Sequence, residues 1–116
     1  MKRFFHLGTC STCKRIIADL NPESKGYAMQ DIKTDAITTA QLEEMANLAG
    51  SYEALFSRRA MKFRAMGLHE KELSEADFKS LILEEYTFLK RPVLVNEKAI
   101  FIGSAKQTIA EALASM

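Results

Sequence analysis

His6-Leu7-Gly8-Thr9-Cys10-Ser11-Thr12-Cys13-Lys14-Arg15 carries the strongest structural signal in the chain. The apolar run from Phe4 to Leu7 feeds a Gly-Thr turn, Cys10 follows, and Cys13 comes three residues later. Ile16, Ile17 and Leu20 then continue at helical spacing. Strand, tight turn and cysteine at a helix start is an order with chemical content. The first turn of a helix carries N–H groups without intrahelical partners and partial positive charge, and both favour a thiolate over a thiol. With Cys10 as N-cap, its sulfur is placed to accept from the N–H groups of Thr12 and Cys13, and Lys14 and Arg15 add positive charge nearby. Such surroundings lower a thiol pKa and make a nucleophile at neutral pH. A C-x-x-C at the end of the first strand of a βαβ pattern is the signature of a thioredoxin-like redox site.

Outward from this stretch, composition narrows the classes. The chain has 116 residues, which suits one domain over 1–116 able to bury a core without staples. Sixteen Lys and Arg face fifteen Asp and Glu, so no overall charge points to direct nucleic-acid binding or to a membrane surface. No apolar run approaches the roughly 20 residues of a spanning helix. Met1-Lys2-Arg3-Phe4-Phe5 begins like a signal peptide, but the apolar run breaks at His6 and Gly8. It reads as a first strand, and the expected location is the cytoplasm. Two cysteines in one C-x-x-C argue against a secreted disulfide scaffold. A zinc site needs about four ligands, and beside the pair only His6 and His69 remain, neither in ligand spacing, so no metal is expected.

Strands are expected over 2–7 and 27–32, joined by a helix over 11–20 and a loop at Asn21–Gly26. Helical patterns follow from about 34 to 88. Thr38-Thr39-Ala40-Gln41 offers a capping box ahead of Leu42, Met45, Ala46 and Ala49, and Ser74-Glu75-Ala76-Asp77 caps a later helix. Between them a helix is expected from about Arg58 to Met66, stopped by Gly67. Val93–Val95 and Ala99–Ile102 read as a hairpin, and Gly103-Ser104 opens a last helix that packs Ile109, Ala110 and Leu113 on the sheet. The order is β-α-β, then helices, then β-β-α. That is an α/β, thioredoxin-like fold with a helical insertion between its halves.

Two further features bear on chemistry. Pro92, after Arg91, is compatible with the start of a strand, and its plain role is to stop the preceding helix. Arg58, Arg59, Lys62 and Arg64 form a basic cluster. A charge run is usually a solvated face, yet one guanidinium over Cys10 would stabilise the thiolate and bind an oxyanion bidentately. A tyrosine-phosphatase-type loop needs one more residue than the four between Cys10 and Arg15. His6, in the strand, is most simply structural, and His69, in a polar loop, solvated.

These residues resemble the arsenate reductase (glutaredoxin-dependent)/Spx family of thioredoxin-like proteins over essentially the whole chain. The carriers are Gly8–Lys14, the segment from Ser57-Arg58-Arg59 through Phe63 to Gly67-Leu68, and Lys90-Arg91-Pro92-Val93-Leu94-Val95. The resemblance implies a thiol-disulfide oxidoreductase with Cys10 as nucleophile and Cys13 as the thiol that resolves the intermediate. Arg91, before a cis Pro92 facing the cysteines, and Arg59, with Arg58 as alternate, would hold the anionic substrate, beside Thr12 and Lys14. The substrate is a small oxyanion or a thiol/disulfide. The reductant is glutathione, glutaredoxin or thioredoxin, with no cofactor bound. Two departures bear on arsenate: Ile102-Gly103-Ser104 stands where such reductases carry a third arginine, and Cys13 where they usually carry another residue. Cys13 is what Spx-type regulators have, so the alternative is a redox-sensing transcriptional regulator that binds RNA polymerase. Spx-like proteins tend to run on into a further C-terminal segment.

Overall fold

The apolar run after Lys2 forms β1 (Arg3–His6), in which successive side chains alternate between faces; Phe4 and Phe5 are both buried. The computed structural model, which describes residues 1–116, pairs β1 with β2 (Ala28–Asp31) in parallel, setting Arg3 opposite Ala28 and His6 opposite Asp31. A parallel pair needs a crossover, and α1 (Ser11–Leu20) supplies it. On its other edge β1 pairs antiparallel with β3 (Val93–Val95), Phe5 opposite Val93, and β3 pairs with β4 (Ile100–Ile102). The sheet order is β2-β1-β3-β4. This is the thioredoxin-like α/β arrangement read from the sequence.

Chain contacts divide the protein into two compact units, one of Met1–Ala36 with Arg91–Met116 and one of Ile37–Lys90. The first is the sheet with α1 and α5 (Lys106–Ser115). Its core joins Phe4 and Leu94 of the sheet, Ile16 and Leu20 of α1, Tyr27, and Ala112 of α5, with Ile17, Met29, Phe101, Ile109 and Met116 against them. Ile16 and Leu20, four apart, lie on one helix face. Full burial of such a side chain stabilises by about 1.5–3 kcal/mol.

The last helix differs from expectation. It starts at Lys106 behind an Ala105 N-cap that offers no side-chain acceptor, because Gly103 sits at φ 90° and turns the chain first. The later start rotates Ala112 and Ile109 into the core and leaves Ala110 exposed and Leu113 48% exposed. The hairpin turn lacks an Asn-Gly pair, but Asn96 Oδ1 accepts from the N–H groups of Lys98 (3.0 Å) and Ala99 (2.9 Å). An Asx turn thus does the work of the missing glycine.

The second unit holds α2 (Thr39–Ala49), α3 (Met61–Ala65) and α4 (Glu75–Glu84). The capping box expected at Thr38 is present, and the cap expected at Ser74 is a full capping box as well. Thr38 exchanges bonds with Gln41, and Ser74 with Asp77. Phe56 anchors the aromatic core, with ring centroids 4.9 Å from Phe78, 5.1 Å from Phe88 and 6.0 Å from Phe63. The Lys90 N–H donates to the Leu55 carbonyl (2.9 Å) and the Ser57 N–H to the Phe88 carbonyl (2.7 Å), tying 55–57 to 88–90. The helix expected from Arg58 contracts to Met61–Ala65, five residues. Two arginines in a first turn would face the positive helix end, and Ala60 at ψ 136° keeps them outside it.

Candidate functional site

β1 delivers the chain to Leu7, and the Cys10 N–H donates back to the Leu7 carbonyl at 2.9 Å. This closes a four-residue turn over Leu7–Cys10. The Lys14 N–H then reaches the Cys10 carbonyl at 3.1 Å, opening α1 with Cys10 as N-cap in an extended conformation, φ −86° and ψ 116°. Within the turn, Gly8 donates its N–H to Asp31 Oδ2 at 3.1 Å. A Cβ on residue 8 would lie 2.5 Å from that oxygen, so any larger residue here would displace the Asp31 carboxylate.

Cys10 is partly exposed, whereas Cys13, one turn into α1, is fully buried; both are free thiols. Partial burial is the largest single influence on Cys10 and opposes its ionisation. It is outweighed by the Cys13 N–H, the Cys13 thiol, the Thr12 N–H and the Arg91 guanidinium, so the Cys10 pKa lies below its ordinary value. No strict capping hydrogen bond to the sulfur forms. The N–H groups act as the dipolar end of a helix, which requires proximity rather than a tight bond. Cys13 behaves oppositely. Burial pushes its thiol up to about 11; a backbone hydrogen bond from Leu7 pulls down, and the neighbouring Cys10 pushes up further.

Arg91 reaches the pair through sheet topology. Because Val93 sits opposite Phe5 in β1, the residues ahead of β3 run alongside the end of β1. The Arg91–Pro92 peptide bond is cis, Pro92 is buried, and Arg91 acts by its charge on both sulfurs. Cys10, Cys13, Thr12, Arg91 and Pro92 therefore share one unit, and Lys14 lies exposed in the first turn of α1.

Arg59 belongs to the second unit, in the turn before α3. Its neighbour Arg58 is already engaged. Arg58 Nη2 lies 2.7 Å from Glu53 Oε2, and its guanidinium stacks 5.5 Å from the Phe78 ring centre. Arg59 is exposed. His69 is not simply solvated: its side chain is 31% exposed, near Glu70 Oε1 (3.7 Å) and the Phe63 ring. His6 lies beside Phe4, its Nδ1 buried without a hydrogen-bond partner.

Asp31 was invisible to sequence reading. Only the β1–β2 register, which sets it opposite His6, brings its carboxylate to the cysteine turn. A cavity of about 390 Å³, lined by Lys2, Tyr27 and Asn96, lies at the opposite end of the sheet and holds none of these residues. No group of three or more His, Cys, Asp or Glu side chains is placed to hold a metal ion. No helix is long and apolar enough to cross a membrane.

Residues 5–112 match the model of the ArsC family. Among individual proteins, the global transcriptional regulator Spx 2 of Bacillus cereus is 28% identical over 103 residues, 87% of this chain and 78% of the relative. A structure described as a possible arsenate reductase from Streptococcus mutans is 28% identical, with a TM-score of 0.76 over 98% of both chains. An ArsC family-related protein from Bacteroides fragilis superposes with a TM-score of 0.81 at 24% identity, over 97% of this chain and 99% of its own.

Proposed function

The chain belongs to the ArsC family, and on that premise we propose that it is a thiol-disulfide oxidoreductase with Cys10 as nucleophile and Cys13 as resolving thiol. The observation that carries this is the split between the two sulfurs: Cys10 is partly exposed with a lowered pKa, while Cys13 is buried and held near 11. The surroundings thus favour a thiolate at Cys10 and oppose one at Cys13, and Cys10 is the sulfur that substrate can reach.

With a disulfide substrate, the Cys10 thiolate attacks one sulfur, forms a mixed disulfide and expels the other sulfur as a thiolate. Cys10 then no longer carries charge. The part of the Cys13 elevation that comes from Cys10 disappears, so Cys13 loses its proton more readily when its attack is needed. It attacks the Cys10 sulfur, the second substrate thiolate leaves, and a Cys10–Cys13 disulfide remains. Two external thiols, from glutathione, glutaredoxin or thioredoxin, return the two electrons. With an oxyanion such as arsenate, the Cys10 sulfur bonds to arsenic and one oxygen takes up a proton from solvent and leaves as water. Attack of Cys13 on sulfur then leaves the electron pair of the sulfur–arsenic bond on arsenic. Arg91 would hold the anionic substrate, with Thr12 and Lys14 at the helix start and the cis Pro92 next in chain to Arg91. In the second unit Arg58 is engaged by Glu53 and Phe78, which leaves Arg59 as the guanidinium of that pair open to an anion.

In a thiol-coupled assay Cys10→Ser is expected to abolish turnover, while Cys13→Ser accumulates a mixed disulfide detectable by mass. Full turnover by Cys10→Ser would sink the reading.

The C-x-x-C and the 28% identity to a global transcriptional regulator favour a second reading, a redox-sensing regulator that binds RNA polymerase. Recovery of polymerase from lysate that depends on the Cys10–Cys13 redox state, without reductase turnover, would select it.

A further inference from the structure

We propose that Asp31 is a positioning residue for Cys10: its carboxylate, bound to the N–H groups of Gly8 and Lys33, locks the turn that presents the sulfur at the start of α1. The proposal rests on Cys10 being the working nucleophile. Asp31 is the last residue of β2, and its two oxygens have different tasks. Oδ1 accepts from the Lys33 N–H at 3.0 Å, a local bond within its own turn. Oδ2 crosses to the neighbouring strand and accepts from Gly8 at 3.1 Å, a contact spanning 23 residues of sequence. A carboxylate accepting backbone N–H groups makes charge-assisted bonds, roughly twice as strong as neutral ones.

Asp31 is itself held. Its carbonyl accepts from the Asp35 N–H at 2.8 Å, and the Ile32 N–H donates to His6 at 2.9 Å, fixing the end of β2 against β1. Within the turn itself the Cys10 N–H also donates to the Leu7 carbonyl at 2.9 Å. Gly8 completes the device, since any Cβ would meet Oδ2 at 2.5 Å and drive the carboxylate away. A purely local turn would need only the Oδ1 bond; the reach of Oδ2 to the cysteine turn is what the local role leaves unexplained.

The groups that act on the Cys10 sulfur are the Thr12 and Cys13 N–H groups and the Cys13 thiol of α1, and Arg91 ahead of β3. All depend on where the sulfur stands. Without Asp31 the Gly8 N–H loses its acceptor, the turn opens, and the sulfur drifts from the helix end. A helix terminus stabilises a charge only within its first turn. A direct charge effect of Asp31 has the opposite sign, because removing a nearby negative charge makes a thiolate easier to form.

The test is the alkylation rate of Cys10 against pH in the full chain carrying Cys13→Ser, compared with the same chain bearing Asp31→Ala, Gly8→Ala or both. The expected result is an upward shift of the profile for each single variant, lowering the rate at neutral pH roughly three- to tenfold. The double variant should be no slower than the slower single one, since both break the same contact. An unmoved or downward-shifted profile for Asp31→Ala would overturn the proposal, as would multiplying effects in the double variant. Should Asp31→Ala not fold, Gly8→Ala decides by the same criterion, an upward shift for and an unmoved profile against. An unsubstituted Asp31 chain in which Cys10 titrates as an ordinary thiol would remove the nucleophile reading together with this one. A lowered thiol that ignores Asp31 removes only this one.

Discussion

At the start of α4, Ser74 Oγ accepts the Asp77 N–H at 3.2 Å and Asp77 Oδ2 accepts the Ser74 N–H at 2.9 Å. At the start of α1 the same N-cap position is Cys10, and no reciprocal bond closes over it. The first helix start consumes its own donors, and its polarity serves stability. The second leaves its donors facing a sulfur, and their polarity is available to chemistry. Serine and cysteine differ there by one atom, oxygen to sulfur. The larger, softer atom accepts weak hydrogen bonds and ionises far more readily. A capped end and a reactive end are the same backbone with different tenants.

The largest test of that contrast is Cys10→Ser. Rapid alkylation of the reduced protein at neutral pH should vanish, since Cys13 is buried and held near 11; persistent rapid labelling at Cys13 would break the contrast. Next comes Arg91→Gln. Arg91 favours the Cys10 thiolate, so its loss should raise the Cys10 pKa and slow neutral-pH alkylation by roughly three- to tenfold. An unchanged profile would mean that the helix end suffices alone. Ser74→Ala should cost about 1 kcal/mol of stability in urea denaturation while leaving the Cys10 profile where it was.

The smallest effect is one of pH. The Ser74 N–H and hydroxyl hold the exposed Asp77 carboxyl below its ordinary value. A depressed folded-state pKa means that this stabilisation is present above the unfolded carboxyl's titration and is lost as pH falls through the folded value. The gap in stability between the unsubstituted chain and Asp77→Asn should therefore narrow in acid; a gap that widens there would contradict the box.

Features set by adjacent residues are legible in the sequence. The Cys10 helix start, both capping boxes and the β3–β4 hairpin rest on a few adjacent residues, and each is present. Local reading failed where two local rules competed. Arg58 to Met66 has helical composition, but its leading arginines oppose the helix dipole, and the helix shrank to Met61–Ala65. At the last helix, Gly103 looked like a start signal and acts as a turn, which changed the buried face to Ile109 and Ala112.

A cysteine at a helix N-terminus behind a strand follows from the chain alone, because strand period, glycine turn and helical period all occur within one short stretch. What faces that cysteine is set by strand pairing. Arg91 comes beside Cys10 through the antiparallel register of β1 and β3, and Asp31 comes beside Gly8 through the parallel register of β1 and β2. Strand pairing joins residues far apart in sequence, and a one-residue slip moves every side chain to the other face. The thiol was legible from its neighbours in the chain; its partners depend on which strand lies next to which.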